Sequence, residues 1–267
     1  MYFHTFPPGF LTVIDNSSDS VASILPKTVN YSNPYTTHNA SSSTVVYNGN
    51  KIVSIKDATY RTDYTYNGDI IVKTTSYDTE SGKDVKVSEK TYTYSNNKLA
   101  TSSYAREFST EHPSGKDKVK SIFTYNNDGT ITVESYNTIG NDVIPESIEQ
   151  VLTISNGNLV KRVQYSSNDV RTDIYEYDTK NNPFKNVLGF NLLLNNDIRV
   201  DFLLGDDLMV SVNNVVKHSS TRIYGSDTYG PDVHNSVYIY DANGYPTKVT
   251  VYFKDGTTVD EISEYTY

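Results

Sequence analysis

The chain has 267 residues, of which 36% are hydrophobic and 21% charged, so it is long enough to bury a sizeable core in one large all-β domain or two small ones. The net charge of −9 and the scattered Lys and Arg residues argue against an anionic partner such as nucleic acid. The absence of Cys excludes disulfides, thiolate metal sites and Cys nucleophiles. No apolar run is long enough for a membrane-spanning helix, so no membrane span is predicted.

Residues 1–43 predict a flexible polar leader. The opening MYFHTFPPGFLTVID lacks the basic start and continuous apolar segment of a signal peptide. The Ser- and Asn-rich stretch that follows is interrupted by Pro26 and Pro34, which is typical of a flexible tether. We therefore expect the folded domain to span residues 44–267.

Within residues 44–267 a tyrosine followed by a turn recurs at intervals of a little under thirty residues, which indicates stacked supersecondary units. Examples are YTYNGDIIVKT, YTYSNNKLATS, FTYNNDGTITV and YIYDANGYPTK. Aromatic residues two positions apart, such as Tyr64 and Tyr66, share one face of a strand. The Asn-Gly, Asn-Asn and Asp-Gly pairs accept positive φ, so each phrase predicts a tight antiparallel hairpin with one aromatic and one polar face.

These phrases predict an all-β fold in which repeated antiparallel β-hairpins form a long curved meander, either a half-barrel or an open barrel-like sheet. We expect the C-terminal EYTY to leave an open edge strand. An apolar insertion at about 184–216 is expected to cover the aromatic face as one short helical or irregular segment. Its start has helix-like spacing of apolar residues, whereas residues 198–212 equally suit a hairpin.

Two phrases carry a resemblance to a known family. YIYDANGYPTKVTVY resembles the YD repeat, the Tyr-Asp-x-x-Gly unit of bacterial wall-associated and toxin-shell proteins, through Tyr240, Asp241 and Gly244. YEYDTKNNPFKNVLGF is similar to a phrase of bacterial surface lipoproteins built from degenerate YD-like hairpins, although Asn181 and Asn182 stand where the glycine should be. The resemblance implies a cell-envelope or secreted β-rich scaffold, with a lipid-anchored precursor as an open alternative, and supplies no catalytic residues.

The polar residues indicate few candidate metal-binding or catalytic sites. Closely spaced oxygen ligands suit Ca²⁺ at two places, although turn chemistry explains them equally well: Asn126, Asp128, Asp227 and Asp232. The five histidines are far apart and are interpreted as surface residues: His4, His38, His112, His218 and His234. No serine lies in a hydrolase elbow motif, and no cofactor is predicted.

Three functions remain open. The favoured one is a non-catalytic extracytoplasmic scaffold or binding protein whose partner is an unknown protein or glycan. The second is a carbohydrate- or peptidoglycan-binding module that stacks sugars on exposed tyrosines, for which the candidates are Tyr31, Tyr35, Tyr224 and Tyr229. The third is a glycan hydrolase with unidentified carboxylates between the sheet and the insertion.

Overall fold

The computed structural model describes residues 23–34, 40–139, 142–194 and 211–267. These ranges form one closed barrel of sixteen antiparallel strands, in which strands adjacent in sequence pair and β1 pairs with β16. The strands are β1 Thr28–Ser32, β2 Ala40–Asn48, β3 Lys51–Lys56, β4 Tyr60–Asn67, β5 Ile70–Asp78, β6 Val85–Ser95, β7 Lys98–Arg106, β8 Asp117–Tyr125, β9 Thr130–Ile139, β10 Asp142–Ser155, β11 Asn158–Ser166, β12 Asp169–Tyr177, β13 Val215–Tyr224, β14 Asp227–Tyr240, β15 Pro246–Tyr252 and β16 Val259–Thr266. A short 3-10 helix spans Phe190–Leu192.

The predicted all-β antiparallel meander is confirmed, but the sheet is closed rather than open. β1 pairs with β16 from Thr28 opposite Thr266 to Ser32 opposite Ile262, and its other edge pairs with β2. The prediction that EYTY forms an open edge is therefore wrong. The barrel starts at Thr28 rather than at residue 44, because backbone pairing on both edges holds a Ser- and Asn-rich strand whose composition resembles a linker.

In the described part of the chain, no helix is long and apolar enough to cross a membrane.

The tight turns share one construction. Gly68, Asn96 and Asn97 have φ of 57°, 52° and 58°, the positive values that two-residue hairpin turns require. The pairing register then shifts by one residue at the pre-turn position, as between Thr65 and Tyr66 and again between Thr93 and Tyr94. Such bulges bend a strand and increase its twist, so their repetition helps a sheet of this width to close.

Alternation divides each strand between two environments. Inward positions are buried and largely aromatic or aliphatic near the tight turns, for example Tyr64, Tyr92, Leu152 and Tyr265. Cross-strand partners share a face, so the register assigns Thr65 with Lys73, and Lys248 with Glu264, to the outer wall. The recurring phrase is thus a packing unit whose aromatic residues build the barrel interior.

The pre-turn tyrosines make a recurring hydrogen bond. The hydroxyl of Tyr94 donates to the Ile71 carbonyl oxygen at 2.6 Å, one hairpin earlier. The same bond type recurs from Tyr47 to Pro26, Tyr177 to Leu159 and Tyr267 to Pro246, and Tyr238, two residues before the pre-turn Tyr240, donates to the Val215 carbonyl oxygen in the same way. Burial raises the pKa of Tyr94 above its usual range. Each such phenol therefore ties its hairpin to its neighbour while satisfying its own polar group in the interior.

Replacing Tyr94 with Phe is expected to lower the free energy of unfolding by about 1–2 kcal/mol, because the ring stays while the bond to the Ile71 carbonyl is lost. Urea unfolding monitored by circular dichroism measures the change. Tyr165 is exposed on the outer wall, so Tyr165→Phe is the matched control and should shift stability by less than about 0.5 kcal/mol. Equal effects of the two substitutions would contradict this role for the hydroxyl.

The described part of the insertion, residues 184–194, is here called the plug segment. Its buried side chains join the tyrosine-rich core at the end of the barrel that carries the tight turns: Phe184, Val187, Phe190 and Leu193. Gly189, with φ of 79°, lies so close to the β4–β5 hairpin that a Cβ would be 3.0 Å from the Asp69 carbonyl oxygen. Glycine is therefore required for this contact. The hairpin suggested for residues 198–212 lies almost entirely outside the described residues.

Candidate functional site

Polar side chains replace the aromatic core at the opposite end of the barrel. Along β12 the inward positions run from Tyr177 and Tyr175 near the plug segment to Asp173, Arg171 and Asp169 at the far end. The register extends this set across the neighbouring strands by pairing Arg171 with Arg222, Asp173 with Ser220, and Ser220 with Asp232. Charged and hydroxyl groups from several strands thus face one part of the lumen.

Asp173 is the centre of this set, because its side chain is fully buried. One carboxylate oxygen accepts from Arg162 Nε at 3.1 Å, and the other lies 3.1 Å from both Arg171 Nε and His218 Nε2. Burial alone would raise the pKa of Asp173, but the hydrogen bond with His218 and the two guanidinium charges outweigh it. The pKa of Asp173 therefore lies well below its usual range, and the group is a fixed anion that orients its three partners.

Two histidines, His218 on β13 and His234 on β14, extend the group of inward polar side chains from Asp173 towards β16. The His218 ring stacks on Tyr175 with centroids 4.7 Å apart, and the His234 ring lies 6.3 Å from His218. His234 Nε2 lies 3.3 Å from a carboxylate oxygen of Asp260. The interpretation of His218 and His234 as separate surface residues is therefore wrong, since cross-strand pairing places both on the inner face.

Arg222 on β13 lies directly opposite Arg171 on β12. Its Nε and Nη2 atoms contact the Asp169 carboxylate, with the Nη2 contact at 2.7 Å. The hydrogen bond from Arg222 lowers the pKa of Asp169. The guanidinium carbon of Arg222 also lies 5.6 Å from the centre of the Tyr224 ring, a cation–π distance. The β13–β14 turn thus holds an aromatic ring and a guanidinium against each other.

These side chains surround an open cavity of about 540 Å³, here called the lumen-end pocket, lined by Arg171, His218, Ser220, Arg222, Tyr224, Tyr229, Asp232 and His234. A smaller depression of about 160 Å³ shares Arg171 and Arg222 with it. Tyr224 and Tyr229 are 54% and 53% exposed, in contrast to the buried tyrosines near the plug segment. The pocket therefore offers aromatic surface, hydroxyls, guanidinium donors and a carboxylate acceptor.

The structure brings together three of the sequence-predicted site residues. Tyr224, Tyr229 and Asp232 line the lumen-end pocket. Tyr31 lies on β1, three strands away from β14, where burial and the neighbouring Glu261 charge raise its pKa. Tyr35 lies outside the described residues.

The other predicted Ca²⁺ ligands serve turns. The Asp128 carboxylate accepts from the Thr130 amide at 2.9 Å and from the Thr130 hydroxyl at 2.7 Å, bonds that lower the pKa of Asp128. Asn126 donates to Thr130 and Thr132 in the same turn. Asp227 pairs with Tyr224 beside the β13–β14 turn. Across the described ranges, no group of three or more histidine or carboxylate side chains is placed to hold a metal ion.

Arg171, Arg222, His218 and His234 were not predicted as a site. A signal for Arg171, and for its neighbour Asp173, existed in the alternation of β12. In VRTDIYEY, Arg171 and Asp173 have the same parity as the core residue Tyr175, so they must face the interior. The pairing of β12 with β13, which aligns Arg222 and His218 beside them, depends on the register across a long insertion.

No protein-family model and no curated protein matches this sequence. Among solved structures, the chain is similar to a porin-like protein from Bacteroides vulgatus, with a TM-score of 0.59 and 16% identity over 92% of this chain and 99% of that chain. A porin-like protein from Bacteroides uniformis aligns with a TM-score of 0.47 and 12% identity over 90% of this chain and 97% of that chain. At this identity the first likeness establishes a shared barrel fold.

Proposed function

We propose that the chain is a non-catalytic cell-envelope barrel that binds glycans in the lumen-end pocket. The observation that carries the proposal is the exposure of Tyr224 and Tyr229 on the inner face of a barrel whose other inward tyrosines, such as Tyr64 and Tyr94, are buried or half-buried. Tyrosine rings stack on the apolar faces of sugars, and the mouths of β-barrels are common ligand sites. The surrounding Arg, Asp, Ser and His side chains supply donors and acceptors for sugar hydroxyls.

The interior supports a binding site rather than a continuous channel. Phe184 and Phe190 of the plug segment lie 5.9 Å apart, centre to centre, and Tyr64 of β4 lies 5.8 Å from Phe190. These rings belong to one buried cluster with residues from strands on both sides of the insertion. A ligand entering the lumen-end pocket would therefore meet a packed core beyond it.

The charged residues on the outer wall indicate that water, rather than lipid, surrounds the barrel. Charged residues occupy outward positions in the middle of several strands, for example Lys73, Lys120, Glu134 and Lys161. Outward ion pairs join neighbouring strands, such as that between Lys248 and Glu264 at 3.0 Å. A barrel in lipid needs an outward apolar band, and each Lys at the bilayer midplane costs about 2–4 kcal/mol. These outward charges support a barrel in an aqueous part of the envelope.

The envelope location has two supports. The YD-like phrases resemble those of bacterial surface proteins, and the solved structure that shares the fold is described as a porin-like protein. Neither support concerns the ligand. The glycan assignment depends on the pocket alone.

The chemistry of the carboxyl groups favours binding over hydrolysis. Glycan hydrolysis needs one carboxyl group with a raised pKa as the acid. Beside the lumen-end pocket, the hydrogen bond with Arg222 lowers the pKa of Asp169, and the hydrogen bond with His218 together with the charges of Arg162 and Arg171 lowers the pKa of Asp173. These two residues are therefore suited to orienting guanidinium groups.

Calorimetric titration with a panel of neutral and acidic oligosaccharides, in detergent-free buffer, tests the proposal. We expect saturable binding that weakens about tenfold in Tyr224→Ala or Tyr229→Ala, through the loss of stacking surface. Tyr165→Ala removes an exposed tyrosine from the outer wall and should leave the affinity unchanged. Binding unaffected by either pocket substitution, or no binding across the panel, would overturn the proposal.

A further inference from the structure

We infer that the ligand of the lumen-end pocket is an acidic saccharide whose carboxylate or sulfate group binds between Arg171 and Arg222. This inference depends on the proposed glycan-binding function and adds the chemical class of the ligand. It runs against the net charge of −9, which argues against anionic partners for the molecule as a whole. The local arrangement of charges differs from that average.

The first observation is the register of the two arginines. Arg171 on β12 lies directly opposite Arg222 on β13, and both face the lumen. Like charges in directly opposite positions of an antiparallel pair destabilise a sheet. The arrangement therefore has a cost in folding stability, which an anion placed between the two side chains would reduce.

The second observation is how these charges are balanced. Asp169 accepts from Arg222, whereas the single carboxylate of Asp173 is shared by Arg171, Arg162 and His218. Three guanidinium groups thus lie around two carboxylates. Asp232 also lines the pocket, opposite Ser220, where its carboxylate can accept hydrogen bonds from sugar hydroxyls. The side of the pocket formed by β12 and the adjoining end of β13 is the cationic one.

The third observation is that both arginines remain accessible while being held in place. Their side chains are 47% and 55% exposed, yet Arg171 Nε is held by Asp173 and Arg222 by Asp169. Planar guanidinium groups oriented in advance match the geometry of carboxylate and sulfate oxygens. Tyr224 and Tyr229 beside them would stack on the ring that bears the anionic group.

The test compares acidic saccharides with neutral forms of the same backbone. One pair is trigalacturonic acid and its methyl ester, and the other is lactose 3'-sulfate and lactose. We expect the preferred acid to bind at least about tenfold more tightly than its neutral counterpart, the value of one charge-assisted hydrogen bond. The two pairs distinguish a carboxylate ligand from a sulfate ligand.

Arg222→Gln should abolish most of this preference while retaining the weaker binding of the neutral form. Arg171→Gln should also reduce the preference for the acid. Because Arg171 is a partner of the buried Asp173, this substitution can also impair folding, whereas Arg222→Gln leaves the partners of Asp173 in place. Arg106→Gln is the matched control, because Arg106 is also an inward arginine paired with an aspartate, Asp117, but lies outside the pocket.

The outcomes separate the two proposals. Equal binding of acid and neutral forms, lost in Tyr224→Ala, would overturn the acidic assignment and retain glycan binding. A preference for acid that survives Arg222→Gln and Arg171→Gln would also overturn the assignment to the arginine pair. No binding of any saccharide would overturn both proposals.

Discussion

Replacing Phe190 with Ala is expected to lower the free energy of unfolding by about 3–5 kcal/mol, the range for a buried phenylalanine whose removal leaves a cavity. Phe190 is 1% exposed and contacts the rings of Phe184 and Tyr64, so it joins the plug segment to the barrel wall. The surrounding strands are tied by hydrogen bonds on both edges and have little freedom to fill the space. Urea unfolding followed by circular dichroism measures the loss.

Leu188→Ala provides the control from the same segment. Leu188 is exposed, and its structural contacts include backbone bonds to Asn50 and Tyr66 that the substitution retains. We expect a loss of no more than about 1 kcal/mol. If Phe190→Ala were as mild as Leu188→Ala, the plug segment would not be an integral part of the core.

Replacing Asp173 with Asn is expected to cost about 3–5 kcal/mol at neutral pH, because it removes the anion from a buried cluster and breaks the ion pair with Arg162. Arg162 is itself largely buried, so its guanidinium group cannot regain full hydration. The measurement is urea unfolding at pH 7. Asp169→Asn is the control, since it disrupts the more exposed pair with Arg222 and should destabilise the fold much less than Asp173→Asn does.

The pH dependence of this contribution follows from the depressed pKa of Asp173. A carboxyl group whose pKa is lower in the folded state than its unfolded value of about 3.9 stabilises the fold at pH values above about 3.9. The contribution is lost as the pH falls through the window between the unfolded and the folded pKa. The difference in stability between the native chain and Asp173→Asn should therefore narrow from pH 7 to pH 3. A difference that stayed constant would show that ionisation of Asp173 is not its source.

Much of the strand pattern is local and was predictable from the sequence. Asn-Gly and Asn-Asn pairs accept the positive φ of tight turns, and aromatic residues two positions apart face one side of a strand. These rules predicted hairpins at Tyr66 and Tyr94, which the structure contains. They also predicted that the repeated phrase is a packing unit.

Closure of the sheet could not be predicted in the same way, because it depends on contacts between the two ends of the chain. The short strand β1 has one buried apolar residue, Val29, among polar neighbours, and its pairing with β16 comes from backbone groups that every sequence possesses. Composition therefore favoured a flexible leader at Thr28–Ser32. The hydrogen bonds of the Tyr94 type are equally non-local, since each joins different hairpins.

The sequence by itself determined the alternation of inward and outward residues, since a period of two follows from strand geometry alone. The alternation therefore accounts for the inward tyrosines and for the outward lysines and glutamates. Only the tertiary structure decided which inward polar residues meet. Arg171 and Arg222 are separated by the whole insertion, and the register of β12 against β13 places them side by side. Register depends on the packing of the complete barrel, and so does the pocket that these residues share with Tyr224 and Tyr229.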